Sequence, residues 1–222
     1  MLIISDFSKT FTSADMPTTW SVFAKSGVLW DAYIADRDQL YAEYVHFEKE
    51  GNIEKTEEWF ASHAELFVKY QLTQDQINTV VMDDRYFAPR VGVREFLDYI
   101  MENEIPLIIV TSGIANFVVT WFQKRYNYTP EIVFGNELIM ETGVVVWVDP
   151  ESITTPLNKS IEMEDNNAEE LIVIGDNTED VSVVQNPKMS LGFTDEDRGF
   201  DIKLGKEGSM EDIVGFLIKG IV

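Results

Sequence analysis

Short unbroken apolar runs alternate along this chain with stretches whose apolar residues return every three or four positions. The first period predicts buried strands and the second amphipathic helices. Residues 2–5, 107–111, 131–134, 171–175 and 188–193 read as strands. Phe96, Leu97 and Ile100 form one helical face, and Phe117, Val118, Trp121 and Phe122 form another. Strands that are apolar throughout are covered on both faces, which is the condition of a parallel sheet with crossover helices. The fold class expected is α/β, a doubly wound parallel sheet. Near residues 140–144, Met140 to Val144 with Gly143 between two apolar runs suggests a β-hairpin on the same domain.

Between residues 15 and 85 the texture changes to helices alone. Trp30, Tyr33, Ile34, Tyr41, Tyr44 and Val45 recur at helical spacing before Gly51-Asn52 breaks the chain, and Trp59, Phe60, His63, Leu66, Phe67 and Tyr70 mark a second helix. Thr73 with Gln76 fits a capping box that opens a third. The aromatic stripes read as core, and His46 and His63 as structural. The expected division is a sheet domain of residues 1–14 and 86–222 with an all-helical inserted domain, residues 15–85.

Composition narrows the chemistry. The 222 residues include no cysteine and two histidines, so thiolate zinc or redox chemistry and disulfides are excluded, and a metal site must use oxygen ligands, as Mg²⁺ prefers. A net charge of −22 repels nucleic-acid backbones and anionic membrane surfaces, so neither is expected as a partner. No apolar run is long enough to cross a bilayer and the first residues do not read as a signal peptide, so a cytoplasmic location is expected.

Four separated elements carry candidate chemistry. The first run delivers Asp6 at a strand's carboxyl end, where open α/β sheets place their sites, followed by the polar turn Phe7-Ser8-Lys9-Thr10, whose amides could cradle a phosphate. The second run ends in Thr111-Ser112-Gly113, read as a hydroxyl and amides opening the next helix, an anion site. Asn158-Lys159 offers a cation. In the fourth, Asp176 and Asp180 follow a buried strand closely enough to reach one hard cation together with Asp6, and Gly175 permits close backbone approach.

In this order the elements resemble the four motifs of the haloacid dehalogenase (HAD) superfamily over almost the whole chain. The helical insertion resembles the cap of its phosphoserine phosphatase-like branch. Glu58-Trp59-Phe60 with His63, Thr111 to Ile114 and Asn158-Lys159 look like the cytosolic pyrimidine 5′-nucleotidases. The resemblance implies a Rossmann-like core and an Mg²⁺-dependent phosphohydrolase acting on a phosphorylated small molecule. Asp6 would be nucleophile and metal ligand, and the Ser8 backbone carbonyl and Asp176 further ligands. Asp180 would ligate or orient, Thr111, Ser112 and Gly113 would hold phosphoryl oxygens, and Lys159 would hold Asp6 and the phosphoryl group together. Glu58 and Trp59 would read the leaving group.

One position departs from the pattern. Phosphatases of this superfamily usually carry a second Asp two residues after the nucleophile as general acid and base, and this chain has Ser8. Three readings stay open: a phosphatase that tolerates the change, a catalytically silent phosphate- or nucleotide-binding protein, and C–P or C–halogen cleavage on the same aspartate. Retention of Asp6 and Lys159 favours activity, and the Asp176–Asp180 pair argues against a metal-free dehalogenase.

Overall fold

The computed structural model describes residues 1–160 and 171–220. The expected sheet domain therefore includes two stretches, 161–170 and 221–222, that lie outside the described residues. The strands are β1 (Leu2–Ser5), β2 (Leu107–Ile114), β3 (Ile132–Asn136), β4 (Leu138–Glu141), β5 (Val144–Val148), β6 (Leu171–Gly175), β7 (Met189–Gly192) and β8 (Ile202–Lys203), with helices between β1 and β2, β2 and β3, and β6 and β7. Six of them form one all-parallel sheet in the order β3-β2-β1-β6-β7-β8. The short β8, with no apolar run of its own, was not legible in the sequence.

The central strand β1 lies between β2 and β6, with Ile4 opposite both Ile108 and Val173. Ile3 and Ile4 are fully buried, one toward each face, which is why the run is apolar without alternation. Each such side chain contributes roughly 1.5–3 kcal/mol. After β1 the chain runs outward through β2 to β3, and later from β6 through β7 to β8. The strand order therefore reverses between β1 and β6, the position at which sheets of this kind open a crevice at their carboxyl ends.

The helices are α1 (Val22–Ser26), α2 (Asp31–Lys49), α3 (Ile53–Lys69), α4 (Gln74–Val81), α5 (Asp84–Phe87), α6 (Val93–Glu102), α7 (Ala115–Tyr126), α8 (Thr178–Val181) and α9 (Met210–Lys219). The α2–α3 break falls at Gly51, which has φ 72°, and the Thr73–Gln76 capping box is present at α4. Residues 15–85 carry no named strand, as expected, but the α2 stripe is only partly core. Tyr33 and Tyr44 are buried, whereas Trp30, outside the helix as its N-cap, and Tyr41 are exposed.

The insertion and the sheet share one apolar cluster, in which Phe23 stacks edge-on against both Phe67 of α3 and Phe117 of α7. The hairpin β4–β5 reaches away from the sheet to the insertion. Val145 N donates to Leu72 O at 2.8 Å and Gln74 N to Gly143 O at 2.8 Å, so the hairpin sits against the α3–α4 junction and not on the sheet domain alone.

Two boundaries change the chemistry. Strand β2 continues through Thr111-Ser112-Gly113 to Ile114, and α7 begins only at Ala115. The expected helix N-terminus at Thr111-Ser112-Gly113 is thus the irregular end of a strand. Its pairing with β3 slips between Val110 and Ile114, which lets the strand carry on past its apolar run.

Candidate active site

Asp6 stands at the mouth of the crevice because its amide adds one more ladder bond to β1, to Ile174 O at 2.9 Å. Phe7 and Phe11 then bury their rings and fold the chain into a tight turn, with Lys9 at φ 62°. The amides of Lys9 and Thr10 bond Thr12 Oγ1 and Phe7 O inside that turn. The phosphate cradle expected from Phe7-Ser8-Lys9-Thr10 is therefore not built from these two amides. Arg90, itself buried, donates to Thr10 O at 2.8 Å, to Lys9 O, and to Lys206 O and Gly208 O at 2.9 Å, fixing the turn from below. Burial lowers its guanidinium to about 10.

Lys159 donates to Asp6 Oδ1 at 2.6 Å and to Asp180 Oδ1 at 2.5 Å. The other oxygen of Asp180 accepts the amides of Asp176 and Asn177, both at 2.9 Å. That arrangement needs Gly175, since a Cβ there would lie 2.3 Å from Asp180 Cβ. Asp6, Asp176 and Asp180 each offer an oxygen within 4.8 Å of the others.

Burial pushes Asp6 up to about 8, with Asp180 and Asp176 adding to it against the pull of Lys159. Burial raises Asp176 to about 6, with Asp180 acting in the same direction. Burial alone would lower Lys159, but Asp6 and Asp180 outweigh it and raise its pKa. Three carboxylates share one ammonium, so the buried cluster is short of positive charge. An all-oxygen donor set with that deficit fits a hard divalent cation.

These groups form the floor of a cavity of about 360 Å³. Ser8, Thr111, Ser112 and Gly113 line it as well. Thr111 Oγ1 accepts the Gly113 amide at 3.0 Å, and Thr19 Oγ1 accepts the Ile114 amide at 2.9 Å, so both amides are engaged in this conformation. The Ser112 carbonyl accepts from Trp20 Nε1 at 2.7 Å. The insertion supplies Trp20, Arg37, Tyr41, Glu48, Trp59, Phe60 and His63.

Of the two proposed recognition residues, Trp59 lines the cavity and Glu58 does not. Glu58 accepts from Tyr44 Oη at 2.7 Å and from Lys55 on the outer side of α3, because successive helical residues point about 100° apart. Its neighbour Glu57 accepts from Asn158 Nδ2 at 2.8 Å, touching the segment that carries Lys159. His63, read as structural, is buried with its Nε2 3.2 Å from Tyr33 Oη, and also borders the cavity. Burial holds it neutral, down to about 3. Arg37, Tyr41, Glu48 and Glu179 were missed. A signal existed, since positions 37, 41 and 48 fall on one face of α2, but it is a polar periodicity inside an aromatic one.

Residues 3–211 match the sequence profile of the pyrimidine 5′-nucleotidase (UMPH-1) family. The chain belongs to that family. Among curated proteins none is significantly similar in sequence. In fold, this UMPH-1 chain is similar to cytosolic 5′-nucleotidase IIIB bound to cytidine, at 22% identity and TM-score 0.79 over 98% of this chain and 85% of that one. It is similar also to a substrate-bound phosphoserine phosphatase, at 16% identity and TM-score 0.64 over 97% of both chains. A HAD-family hydrolase from Salmonella enterica serovar Typhi matches at 16% identity and TM-score 0.69 over 100% of this chain and 72% of that one. The UMPH-1 chain is thus a HAD-like phosphohydrolase with a Rossmann-like α/β core. No helix among its described residues is long and apolar enough to cross a membrane.

Proposed function

We propose that this phosphohydrolase is an Mg²⁺-dependent nucleotidase working through Asp6, with residues 15–85 as a cap over the sheet domain. The observation that carries this reading is the Asp6–Lys159–Asp180 bridge beside Asp176 on the floor of a cavity whose far wall is aromatic. Asp6, Asp176 and the Ser8 carbonyl would hold the cation, with Asp180 ligating or orienting. When bound, the cation supplies the positive charge that the three carboxylates lack and offsets the repulsion between Asp6 and a phosphate dianion.

On this reading Asp6 attacks phosphorus and forms an aspartyl phosphate that water then hydrolyses. Lys159 stays on Asp6 and draws the transferring group to it, while the Thr111 hydroxyl, with Ser112 and Gly113, receives phosphoryl oxygens. Gly113 would first have to exchange its bond to Thr111. Trp59, with Trp20 and Tyr41, offers flat surfaces for a nucleobase, and the leaving group is a nucleoside. Ser8 stands where the family's usual general acid stands, and a serine hydroxyl holds its proton too tightly for that task at neutral pH.

The test is phosphate release from nucleoside monophosphates with and without Mg²⁺, for the protein and its Asp6→Asn variant. Release that needs both is expected. A folded protein that binds nucleotide with Mg²⁺ and never releases phosphate would give the lead to the silent-binder reading.

A further inference from the structure

An alkoxide leaving group departs slowly without a proton, and on the reading proposed above Ser8 does not supply one. The cavity's other ionisable side chains narrow the search for a donor. Asp6, Asp176 and Asp180 face one another on the floor, and Lys159 is committed to two of them. Glu179 and Lys9 line the cavity too, but both come from the sheet domain on the side of the carboxylate cluster, Lys9 in the turn after Asp6 and Glu179 on α8 beside Asp180. His63 is held neutral and deep against Tyr33, and a group protonated only near pH 3 gives no proton at neutrality. The wall provided by α2 otherwise offers the Arg37 guanidinium and the Tyr41 phenol, neither of them a carboxylic acid.

Glu48 remains. It lies in the last turn of α2, on the helix face shared with Arg37 and Tyr41, and borders the same cavity as Asp6 and Ser8. It is half-buried and comes from the insertion, the part of the chain that provides the wall where a leaving group would lie. We infer that Glu48 is the general acid and base of this enzyme, carrying out from α2 the proton transfers that Ser8 cannot. Burial raises its carboxyl above the ordinary value, and Glu179 acts in the same direction, against the opposing charge of Lys49.

The proton account closes over the cycle. As an Asp6 oxygen bonds to phosphorus and the ester P–O bond breaks, the Glu48 carboxylic acid passes its proton to the leaving oxygen, and the alcohol departs. The Glu48 carboxylate then takes a proton from the water that attacks the aspartyl phosphate at phosphorus. Phosphate leaves, Asp6 returns as a carboxylate, and Glu48 ends protonated as it began.

The test compares the protein with Glu48→Gln, Ser8→Asp, the double variant and Asp6→Asn, all checked for folding by circular dichroism. Initial rates with Mg²⁺ are taken on acetyl phosphate, p-nitrophenyl phosphate and a nucleoside monophosphate, in ascending order of leaving-group basicity. Glu48→Gln should lower kcat progressively along that series, by roughly 10²-fold or more on the nucleotide, with little change in KM. Ser8→Asp in the Glu48→Gln background should restore the nucleotide rate, because it returns a carboxylic acid to the same cavity, two residues after Asp6. An equal loss on all three substrates, or no rescue by Asp at position 8, overturns the inference, since a residue that only shapes the cavity gives that result. If the protein's own phosphate release does not depend on Asp6, the proposed function falls, and this inference with it. Asp6-dependent release with a flat Glu48→Gln profile removes the inference alone.

Discussion

Lys159 lies within 2.6 Å of Asp6 and 2.5 Å of Asp180, and all three side chains are less than a tenth exposed. At such a site the net value of the ion pair matters less than what remains when one member is removed. Lys159→Met leaves two buried carboxylates facing each other without a counter-charge, at a cost of about 3–5 kcal/mol. Thermal denaturation should show a Tm lowered by several degrees, with part of the loss recovered by millimolar Mg²⁺, which replaces the missing positive charge. A variant whose Tm is unchanged in both conditions would mean that the carboxylates take up protons without strain. The sequence displayed these residues through their positions after strands. It did not display which oxygens they share, because that depends on Asp180 folding back onto Gly175 and the amides of residues 176 and 177.

His63 gives a second expectation at the same scale. Its folded pKa is depressed from 6.5 to about 3, chiefly by burial and then by the charge of Arg37. The unfolded chain therefore takes up a proton below pH 6.5 that the folded chain refuses. The associated stability is fully present above pH 6.5 and is lost as pH falls toward 3, at up to about 1.4 kcal/mol per pH unit. Urea denaturation of the protein and of His63→Gln between pH 7 and pH 4.5 isolates this contribution, because carboxylates common to both cancel in the difference. The two stabilities should diverge at pH 7 and converge as the pH falls. Parallel curves would place His63 in contact with solvent.

At the scale of elements, apolar period was enough for β1, β2, β6 and β7 and for the faces of α6 and α7, since burial selects those residues. It failed where a backbone continued beyond its apolar run, as β2 does through Thr111-Ser112-Gly113, and where an element packed by hydrogen bonding, as β4–β5 does against residues 72–74. The face of α2 that borders the cavity carries Arg37, Tyr41 and Glu48, of which the apolar pattern includes only Tyr41, there as a core position. The approach of α6 to α9 is a further case decided by backbone and not by pattern. Gly92, the N-cap of α6, has φ 80°, and a Cβ there would lie 2.6 Å from the Glu211 amide of α9. Gly92→Ala combines backbone strain with a clash against main chain and should cost about 1–3 kcal/mol. Gly92 does not border the cavity, so KM for phosphate release should stay the same while the urea midpoint falls. An unchanged midpoint would show that the α6–α9 contact yields easily.

The whole molecule carries a net charge of −22, and a surface so strongly of one sign stores repulsion that the folded state concentrates and the unfolded chain relieves. Surface charges separated by more than about 10 Å are largely screened at 0.1 M salt, and at 0.01 M the screening distance is roughly 30 Å, comparable with a domain of this size. Stability should therefore rise with salt, and most steeply at the low end of the range. Buried Lys159 with Asp6 and Asp180 lies out of reach of that screening, so the Tm of the Lys159→Met variant should rise with NaCl in parallel with that of the protein. The same long-range field opposes the approach of a phosphate dianion. Where encounter contributes to the rate, kcat/KM should increase between 0.01 and 0.15 M NaCl, even though salt weakens the attraction of Lys159 for the same anion once it is bound. Initial rates at subsaturating substrate across that range, with Mg²⁺ held constant, separate the two effects. A rise identifies the global field as dominant, whereas a monotonic fall means that the positive charge within the cavity extends far enough outward to govern capture.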